Sequence, residues 1–289
     1  MLRELLLSMR PKQWTKNLVI FAALVFDLKL GDLTFLSRAV AAFVIFSALS
    51  SAVYLINDLV DMDRDRAHPE KRNRPLAAGR LNPTWAGGAA GLLSLGALPA
   101  AFYVDQLLGL IGLGYLLIQI AYSLVLKNLV ILDVITVALG FVLRVGAGAV
   151  VVEVERFSPW LYICMTLLAL FLALSKRRHE LVLLESGAGE HRKILREYSS
   201  GLLEEMIAVV TSATVIAYSL YTFSAENLPS NHAMMLTIPF VLYGVFRYLF
   251  IVHQRDLAGS PEEALVRDAP LVANNLLWGV AVVAILYLF

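Results

Sequence analysis

Acidic side chains recur at helical spacing in the stretch NDLVDMDRD, which begins at Asn57. If the preceding apolar run continues as an α-helix, Asp58, Asp61 and Asp65 share one face with Asn57 beside them, and Asp63 points elsewhere. Carboxylates grouped at the end of a membrane helix repel one another and are costly to remove from water. Mg²⁺ relieves both costs, and it commonly binds one or two carboxylates together with substrate phosphate oxygens. The pattern predicts a catalytic Mg²⁺ site with Asp58, Asp61 and Asp65 as ligands.

Basic residues follow this acidic array directly: Arg66, Lys71, Arg72 and Arg74. Their side chains can hold the phosphate charge that one metal ion leaves unneutralised. A solvated loop of mutual salt bridges is the alternative, because charge runs in loops are usually solvated. The acids begin inside the end of an apolar span, where ionisable groups generally serve a function, so we favour the phosphate-binding interpretation.

A second group of polar residues, Tyr122, Ser123, Lys127 and Asp133, lies between two later apolar runs, with Arg144 deeper in the second run. At 1.5 Å per residue, Asp133 and Arg144 are roughly 16 Å apart on one helix face. They are therefore too distant to pair, and each must contact another part of the bundle. We favour phosphate binding for Lys127. A structural role for Arg144, bonded to backbone carbonyls, and a functional one both stay open.

The segment 176–202 begins with Lys176, Arg177 and Arg178 and contains no aspartate. Two interpretations stay open for this basic run. It can anchor the chain to anionic lipid at the membrane surface, or it can bind a phosphate that is itself attached to a lipid.

The composition identifies the environment of these residues. Hydrophobic residues make up 59% of the 289 and charged residues 16%, and the mean hydropathy is +0.72. Such a chain is typical of an all-α integral membrane protein. The net charge of +1 gives no basic field for nucleic acid. The single cysteine, Cys164, excludes an intramolecular disulfide and a multi-cysteine zinc site.

Most of the 24 Lys and Arg residues fall in the N-terminal segment and in alternate loops, so the positive-inside rule places those segments in the cytoplasm. We expect residues 1–16 to form an amphipathic lead-in at the membrane interface. We expect one transmembrane catalytic domain over residues 1–289 of a multi-pass cell-membrane protein. Its polar cavity would face the cytoplasm, with active-site loops at 58–82 and 176–202. Nine spans are predicted, at residues 17–30, 37–57, 84–103, 107–126, 131–152, 158–175, 203–223, 233–252 and 270–288.

The motif NDxxDxxxD after a second membrane span resembles the first Asp-rich motif of the UbiA-like intramembrane prenyltransferase superfamily. Ordinary members carry a second Asp-rich motif where this chain has its basic run at 176–178. The chain is most similar to the polyprenyl-phosphate phosphoribosyltransferase branch. Five stretches carry that resemblance: RPKQWxKN at 10–17, DRAHPxKRxRP at 65–75, YSxxLK at 122–127, the pair Lys176–Arg177, and GxPExxxxRD at 259–268.

This resemblance implies a nine-helix UbiA-like bundle and a Mg²⁺-dependent transfer. The enzyme would move 5-phosphoribosyl from 5-phosphoribosyl 1-diphosphate (PRPP) to a polyprenyl monophosphate of decaprenyl type, releasing diphosphate. The product implied is a precursor for cell-envelope glycan of arabinan type.

The implied roles of the residues form three groups. The aspartates and Asn57 would hold the Mg²⁺–diphosphate. The donor phosphates would be contacted by Arg66, Lys71, Arg72, Arg74 and Lys127, near Tyr122. Candidates for the lipid phosphate are Lys16, Gln13, Lys176, Arg177 and Arg178.

Two other functions stay open. The first is an ordinary UbiA-type transfer of a polyprenyl chain from its diphosphate to an aromatic acceptor such as 4-hydroxybenzoate. The second is secondary transport of an anionic metabolite, which intramembrane Asp133 and Arg144 would permit; against it, the charged groups gather at one side of the membrane and not at its midplane. Assembly into a homo-oligomer also stays open.

Overall fold

The computed structural model describes residues 2–67, 71–155, 158–185, 193–226, 228–254 and 267–288. Every regular element in these ranges is helical, which confirms the predicted all-α class. The α-helices are α1 (Leu2–Met9), α2 (Ala22–Phe26), α3 (Leu33–Val60), α4 (Met62–Ala67), α5 (Pro83–Val104), α6 (Gln106–Leu124), α7 (Leu132–Val151), α8 (Pro159–Glu185), α9 (Ser200–Ser224), α10 (Ile238–Gln254) and α11 (Ala269–Leu288). Short 3₁₀ helices occur at Pro11–Phe21, Lys71–Asn73, Leu126–Asn128, Lys193–Glu197 and Ala233–Thr237.

Within the described residues, 8 helices are long and apolar enough to cross a membrane. They coincide with eight of the nine predicted spans, so the protein is a multi-pass membrane protein. The first predicted span, 17–30, has a different local structure: the 3₁₀ helix Pro11–Phe21 runs into the short α2, and a turn follows. The ninth crossing stays a prediction.

The described residues divide into two compact units, and the single catalytic domain expected from the sequence stays a prediction. In the first, which comprises residues 2–25 and 29–154, α3 is the central helix. It contacts α1, α5, α6, α7 and the 3₁₀ helix Pro11–Phe21. The apolar core between these helices includes the fully buried side chains of Ile20, Phe46 and Ala147.

Side-chain caps fix where three helices of the first unit begin. The Asp32 carboxylate accepts hydrogen bonds from the first turn of α3, Asn82 caps α5, and Asp105 caps α6. Each cap satisfies backbone N–H groups that have no partner inside the helix. The helix starts are therefore encoded locally.

The second unit contains α8 to α11. Here α8 packs against α9, and α10 contacts both α9 and α11. Phe171 and Tyr248 meet edge to face with their ring centroids 5.0 Å apart. The helix α8 continues to Glu185, ten residues beyond the predicted end of its span at 175, so the expected loop at 176–202 begins as helix. The physical reason is that Lys, Arg, Glu and Leu favour helix; their charge marks the limit of the apolar span and not of the helix.

Candidate active site

Three buried aspartates lie where α3 meets α4. Asp61 ends α3, but its N–H still donates to the carbonyl of Asn57 (2.9 Å), and the Asp65 N–H donates to the carbonyl of Asp61 (2.8 Å). The helical register therefore continues across the junction. It keeps Asp58, Asp61 and Asp65 only 2%, 8% and 4% exposed, whereas Asp63 is exposed. The predicted shared face is confirmed.

Two arginines from different segments contact these aspartates. Arg10 Nη2 lies 2.5 Å from Asp58 Oδ1, and Arg74 Nη1 lies 3.1 Å from the same oxygen. Arg74 Nη1 also donates to Asp65 Oδ2 at 2.6 Å. Asp58 thus accepts from two guanidinium groups, and Arg74 Nη1 contacts two carboxylates, those of Asp58 and Asp65.

The third aspartate is paired with a buried lysine. Lys127, in the 3₁₀ helix Leu126–Asn128 after α6, is 2% exposed. Its Nζ lies 2.7 Å from both carboxylate oxygens of Asp61 and 3.5 Å from Asn57 Oδ1. The chain brings Lys127 to this position from 66 residues away. Lys127, predicted to bind phosphate, is therefore in direct contact with the acidic array.

We call these six residues the aspartate cluster: Asp58, Asp61, Asp65, Arg10, Arg74 and Lys127. Within this set three carboxylates face three cations, and the exposed Arg64 adds a longer contact with Asp61 at 3.6 Å. Removing one partner from a buried ion pair typically costs about 3–5 kcal/mol, because the remaining charge is left without compensation. Any cation or anion that binds here must therefore exchange with the internal pairs.

The donor set of the aspartate cluster suits a metal that shares its ligands with a substrate. Among the described residues, no three His, Cys, Asp or Glu side chains converge to hold a metal ion by themselves. Two carboxylates do converge, because Asp58 and Asp65 both contact Arg74 Nη1. The position of Arg74 Nη1 shows that a single cation can contact both carboxylates. One or two carboxylates plus substrate phosphate oxygens is the usual protein environment of Mg²⁺.

The other predicted binding residues of the first unit lie around this cluster or on segments leading to it. Arg66 is exposed, pairs with Asp63 at 2.8 Å and also contacts the carbonyl of Ala77. Arg72 is exposed and Lys71 is half-buried in the 3₁₀ helix Lys71–Asn73. Half-buried positions are also occupied by Tyr122 near the end of α6 and by Gln13 and Lys16 on the 3₁₀ helix Pro11–Phe21.

A second polar cluster lies in the apolar interior of the same unit. Arg144 Nε donates to Asn17 Oδ1 (2.6 Å), Nη1 to the Gly140 carbonyl (2.8 Å) and Nη2 to the Tyr115 hydroxyl (2.8 Å). The guanidinium also lies 4.8 Å from the centroid of the Tyr115 ring. We call Arg144, Asn17, Gly140 and Tyr115 the Arg144 cluster. The structure gives Arg144 the partners elsewhere in the bundle that its distance from Asp133 predicted.

The 3₁₀ helix Pro11–Phe21 is fastened at several points. Trp14 Nε1 donates to Ser51 Oγ (3.0 Å), and the Asn17 amide donates to Ser47 Oγ (3.1 Å), both on α3. Against α7, a Cβ placed on Gly148 would lie 2.2 Å from the Ile20 carbonyl oxygen. Only glycine permits that approach. These contacts hold in place the 3₁₀ helix that directly follows Arg10.

In the second unit, the basic run lies on α8. Lys176 is exposed, Arg177 is buried and pairs with Glu180 one turn later, and Arg178 lies 2.9 Å from Glu204 of α9. The two arginines therefore have acidic partners within their own unit. The nearby motif at 259–268 lies mostly outside the described residues; its last residue, Asp268, accepts two hydrogen bonds from Arg247 and caps α11.

The sequence interpretation included the stretch 10–17 but did not single out Arg10. Its contact with Asp58 joins positions 48 residues apart, so helical spacing could not reveal it. The available signal was a lone arginine between an amphipathic segment and the first apolar run, in a stretch already selected by resemblance.

Comparison with known proteins identifies the family. The model of the UbiA prenyltransferase family matches residues 18–262. The chain is 34% identical over 289 residues to a decaprenyl-phosphate phosphoribosyltransferase of Mycolicibacterium smegmatis, with 95% of this chain and 89% of the relative covered. A protein of the same name from Mycobacterium tuberculosis is 34% identical over 276 residues, covering 94% and 90%.

Among solved structures, the fold is similar to that of a UbiA homolog from Archaeoglobus fulgidus bound to GPP and Mg²⁺. The TM-score is 0.74 at 21% identity, and the match covers 98% of this chain and 99% of that one. This likeness concerns the fold. Together with the match over most of the sequence, it leads to one conclusion: the chain belongs to the UbiA prenyltransferase family.

Proposed function

We propose that the protein transfers 5-phosphoribosyl from PRPP to a polyprenyl monophosphate of decaprenyl type and releases diphosphate. The observation that carries the proposal is the aspartate cluster, in which three buried carboxylates pair with a buried lysine and two partly exposed arginines at the end of a membrane span. Such a site suits a reaction between two phosphorylated substrates, one from water and one from the membrane. The names of the relatives at 34% identity point to the same reaction.

In this proposal, Asp58, Asp61 and Asp65, with Asn57, hold Mg²⁺ and the diphosphate of the donor. When bound, Mg²⁺ would stabilise the negative charge that develops on the departing diphosphate. Cations of the cluster then turn from carboxylates to donor phosphates. Arg74 and Lys127 are suited to this exchange because they already lie 2.6–3.1 Å from the aspartates. The exposed Arg66 and Arg72 and the half-buried Lys71 extend the same basic surface.

The bond that breaks joins the anomeric carbon of the ribose to the diphosphate oxygen, and the bond that forms joins that carbon to an oxygen of the lipid phosphate. A phosphate monoester is ionised at neutral pH, so the nucleophile needs no general base. Attack from the face opposite to the diphosphate inverts the anomeric configuration. For the lipid phosphate we propose two separate sets of candidates: Gln13 and Lys16 on the 3₁₀ helix of the first unit, and Lys176, Arg177 and Arg178 on α8 of the second.

We also propose that the N-terminus and the aspartate cluster face the cytoplasm of the cell membrane. The distribution of Lys and Arg supports this orientation, as does the need for a water-soluble donor. The pentosyl lipid formed there would be a precursor for cell-envelope glycan.

The test is a radiolabel assay on detergent-purified protein. Labelled PRPP and a polyprenyl monophosphate are incubated with Mg²⁺ or with EDTA, and label is counted in the organic phase. With wild-type protein we expect label in the presence of Mg²⁺ and none with EDTA. Asp58→Asn should abolish it, and Asp63→Asn, on the exposed side of the same junction, should retain it.

Two parallel reactions address the alternatives. Transfer from a polyprenyl diphosphate to 4-hydroxybenzoate, with no label from PRPP, would replace the proposal by the ordinary prenyl transfer of the superfamily. Movement of a labelled anion into proteoliposomes without chemical change would indicate transport.

A further inference from the structure

Arg10 occupies a constrained position at the edge of the aspartate cluster. It lies between α1 and the 3₁₀ helix Pro11–Phe21 with φ 54° and ψ 62°, in the left-handed region that non-glycine residues rarely adopt. Its guanidinium lies 2.5 Å from Asp58 and 4.9 Å from the centroid of the Tyr54 ring. Its side chain remains 27% exposed, whereas that of Asp58 is 2% exposed. The Arg10 side chain therefore contacts the buried carboxylate of Asp58 while part of it stays exposed at the surface of the unit.

The backbone on both sides of Arg10 is tied to α3. Ser51 Oγ accepts from Trp14 Nε1 (3.0 Å), and its hydroxyl lies 2.7 Å from the Ser47 carbonyl and 3.3 Å from the Met9 carbonyl. Asn17, further along, is held by Ser47 and by Arg144. The position of Arg10 over Asp58 is thus built by several independent contacts and does not depend on its own ion pair.

Asp58 has two guanidinium partners on a single oxygen. Arg74 also pairs with Asp65, whereas Arg10 pairs with Asp58 alone among the residues that the structure describes. A metal ion that takes Asp58 as a ligand competes directly with Arg10 for that oxygen. The released guanidinium stays charged and beside the site, where it has the geometry to bind phosphate oxygens in pairs.

We propose that Arg10 is a phosphate-binding residue of the donor site, and that it occupies Asp58 until Mg²⁺ and a diphosphate group displace it. This rests on the proposed function, which identifies the diphosphate as that of the donor. Arg10 consequently has two opposite effects. It weakens the binding of Mg²⁺ alone by competing for Asp58, and it strengthens the binding of diphosphate once Mg²⁺ is present.

The experiment compares Arg10→Gln with wild type by calorimetric titration of detergent-purified protein. The probes are Mg²⁺ alone and inorganic diphosphate at saturating Mg²⁺. Losing one charge-assisted hydrogen bond should weaken diphosphate binding about 10-fold. In the same variant, we expect Mg²⁺ alone to bind at least a few-fold tighter. Arg10→Lys keeps the charge and should recover part of the diphosphate affinity.

The matched control is Glu4→Gln, which removes the ion pair with Arg80 at 3.0 Å on the same N-terminal segment and should change neither affinity. If Arg10→Gln weakens Mg²⁺ and diphosphate binding alike, or changes neither, the proposal is wrong and Arg10 is only structural. Thermal unfolding with and without Mg²⁺ gives a second readout. A larger stabilisation by Mg²⁺ in Arg10→Gln supports competition, and equal stabilisation contradicts it.

These titrations do not depend on the acceptor. Opposite changes in the two affinities, without phosphoribosyl transfer in the radiolabel assay, would preserve the role of Arg10 and overturn the proposed function. If the wild type transfers phosphoribosyl and Arg10→Gln leaves both affinities unchanged, the proposed function is preserved and the role of Arg10 is overturned.

Discussion

The aspartate cluster and the Arg144 cluster lie in the same unit and both contain buried charges, yet they hold charge in different ways. In the aspartate cluster each buried carboxylate has a cationic partner within 3.1 Å. In the Arg144 cluster one guanidinium is surrounded by neutral acceptors: an amide oxygen, a backbone carbonyl and a hydroxyl. Among the described contacts of Arg144 there is no carboxylate.

The difference separates exchangeable from fixed interactions. The ion pairs of the aspartate cluster can be exchanged, because a metal ion could replace the cations as partner of the carboxylates, and phosphates could replace the carboxylates as partners of the cations. Neutral acceptors around one cation offer no such exchange, and each of them belongs to a different segment of the bundle. The Arg144 cluster therefore holds the 3₁₀ helix Pro11–Phe21 in place, whereas we propose that the aspartate cluster receives ligands.

The largest effect should come from neutralising an aspartate at unchanged shape. We expect Asp58→Asn to lower the rate of phosphoribosyl transfer by about 10³-fold or more, because the metal loses a charged ligand. The rate is to be measured per folded protein, with Asp63→Asn as the control. Equal rates in the two variants would remove Asp58 from the metal site.

Arg144→Met should act on stability first. It leaves Asn17 Oδ1 and the Tyr115 hydroxyl without their donor in the apolar interior, at about 1–3 kcal/mol for each unsatisfied group. We expect a lower midpoint of thermal unfolding and retention of Mg²⁺ binding. Loss of Mg²⁺ binding in a protein of unchanged stability would erase the distinction between the two clusters.

The contact between α7 and the 3₁₀ helix can be tested with two glycines two residues apart. The Cβ of Gly148→Ala would meet the Ile20 carbonyl oxygen at 2.2 Å, whereas that of Gly146→Ala would lie 3.9 Å from Ile111 Cδ1. Overpacking should cost Gly148→Ala about 1–3 kcal/mol, and Gly146→Ala should be as stable as wild type. Similar unfolding midpoints for both variants would mean that the close approach carries no structural weight.

The smallest effect is expected at the rim of the aspartate cluster. Arg66 is paired with Asp63, whose side chain is 85% exposed, and such surface pairs contribute at most about 1 kcal/mol. Arg66→Ala should therefore leave the unfolding midpoint almost unchanged while raising the KM for PRPP a few-fold. An unaltered KM would exclude Arg66 from the donor site.

Much of this protein could be read from local patterns. The lengths of the apolar runs predicted nine spans, and at eight of them the structure has a helix long and apolar enough to cross a membrane. Caps such as Asp32 and Asp105 fix helix starts within three residues of chain. Helical periodicity placed three aspartates on one face and Asp63 on the other. The end of α8 was misplaced, because charge shows where apolar composition ends and not where backbone hydrogen bonding ends.

The partners of those aspartates were beyond such reasoning. Arg10 and Lys127 reach Asp58 and Asp61 across 48 and 66 residues, and Arg144 reaches Asn17 across 127. The sequence alone determined which charges had to be buried at the membrane boundary, since residue type and spacing set the cost of desolvation and the face of the helix. Only the tertiary structure decided which cation neutralises which carboxylate, because packing of distant segments, through contacts as close as Gly148 against Ile20, sets the distances between them.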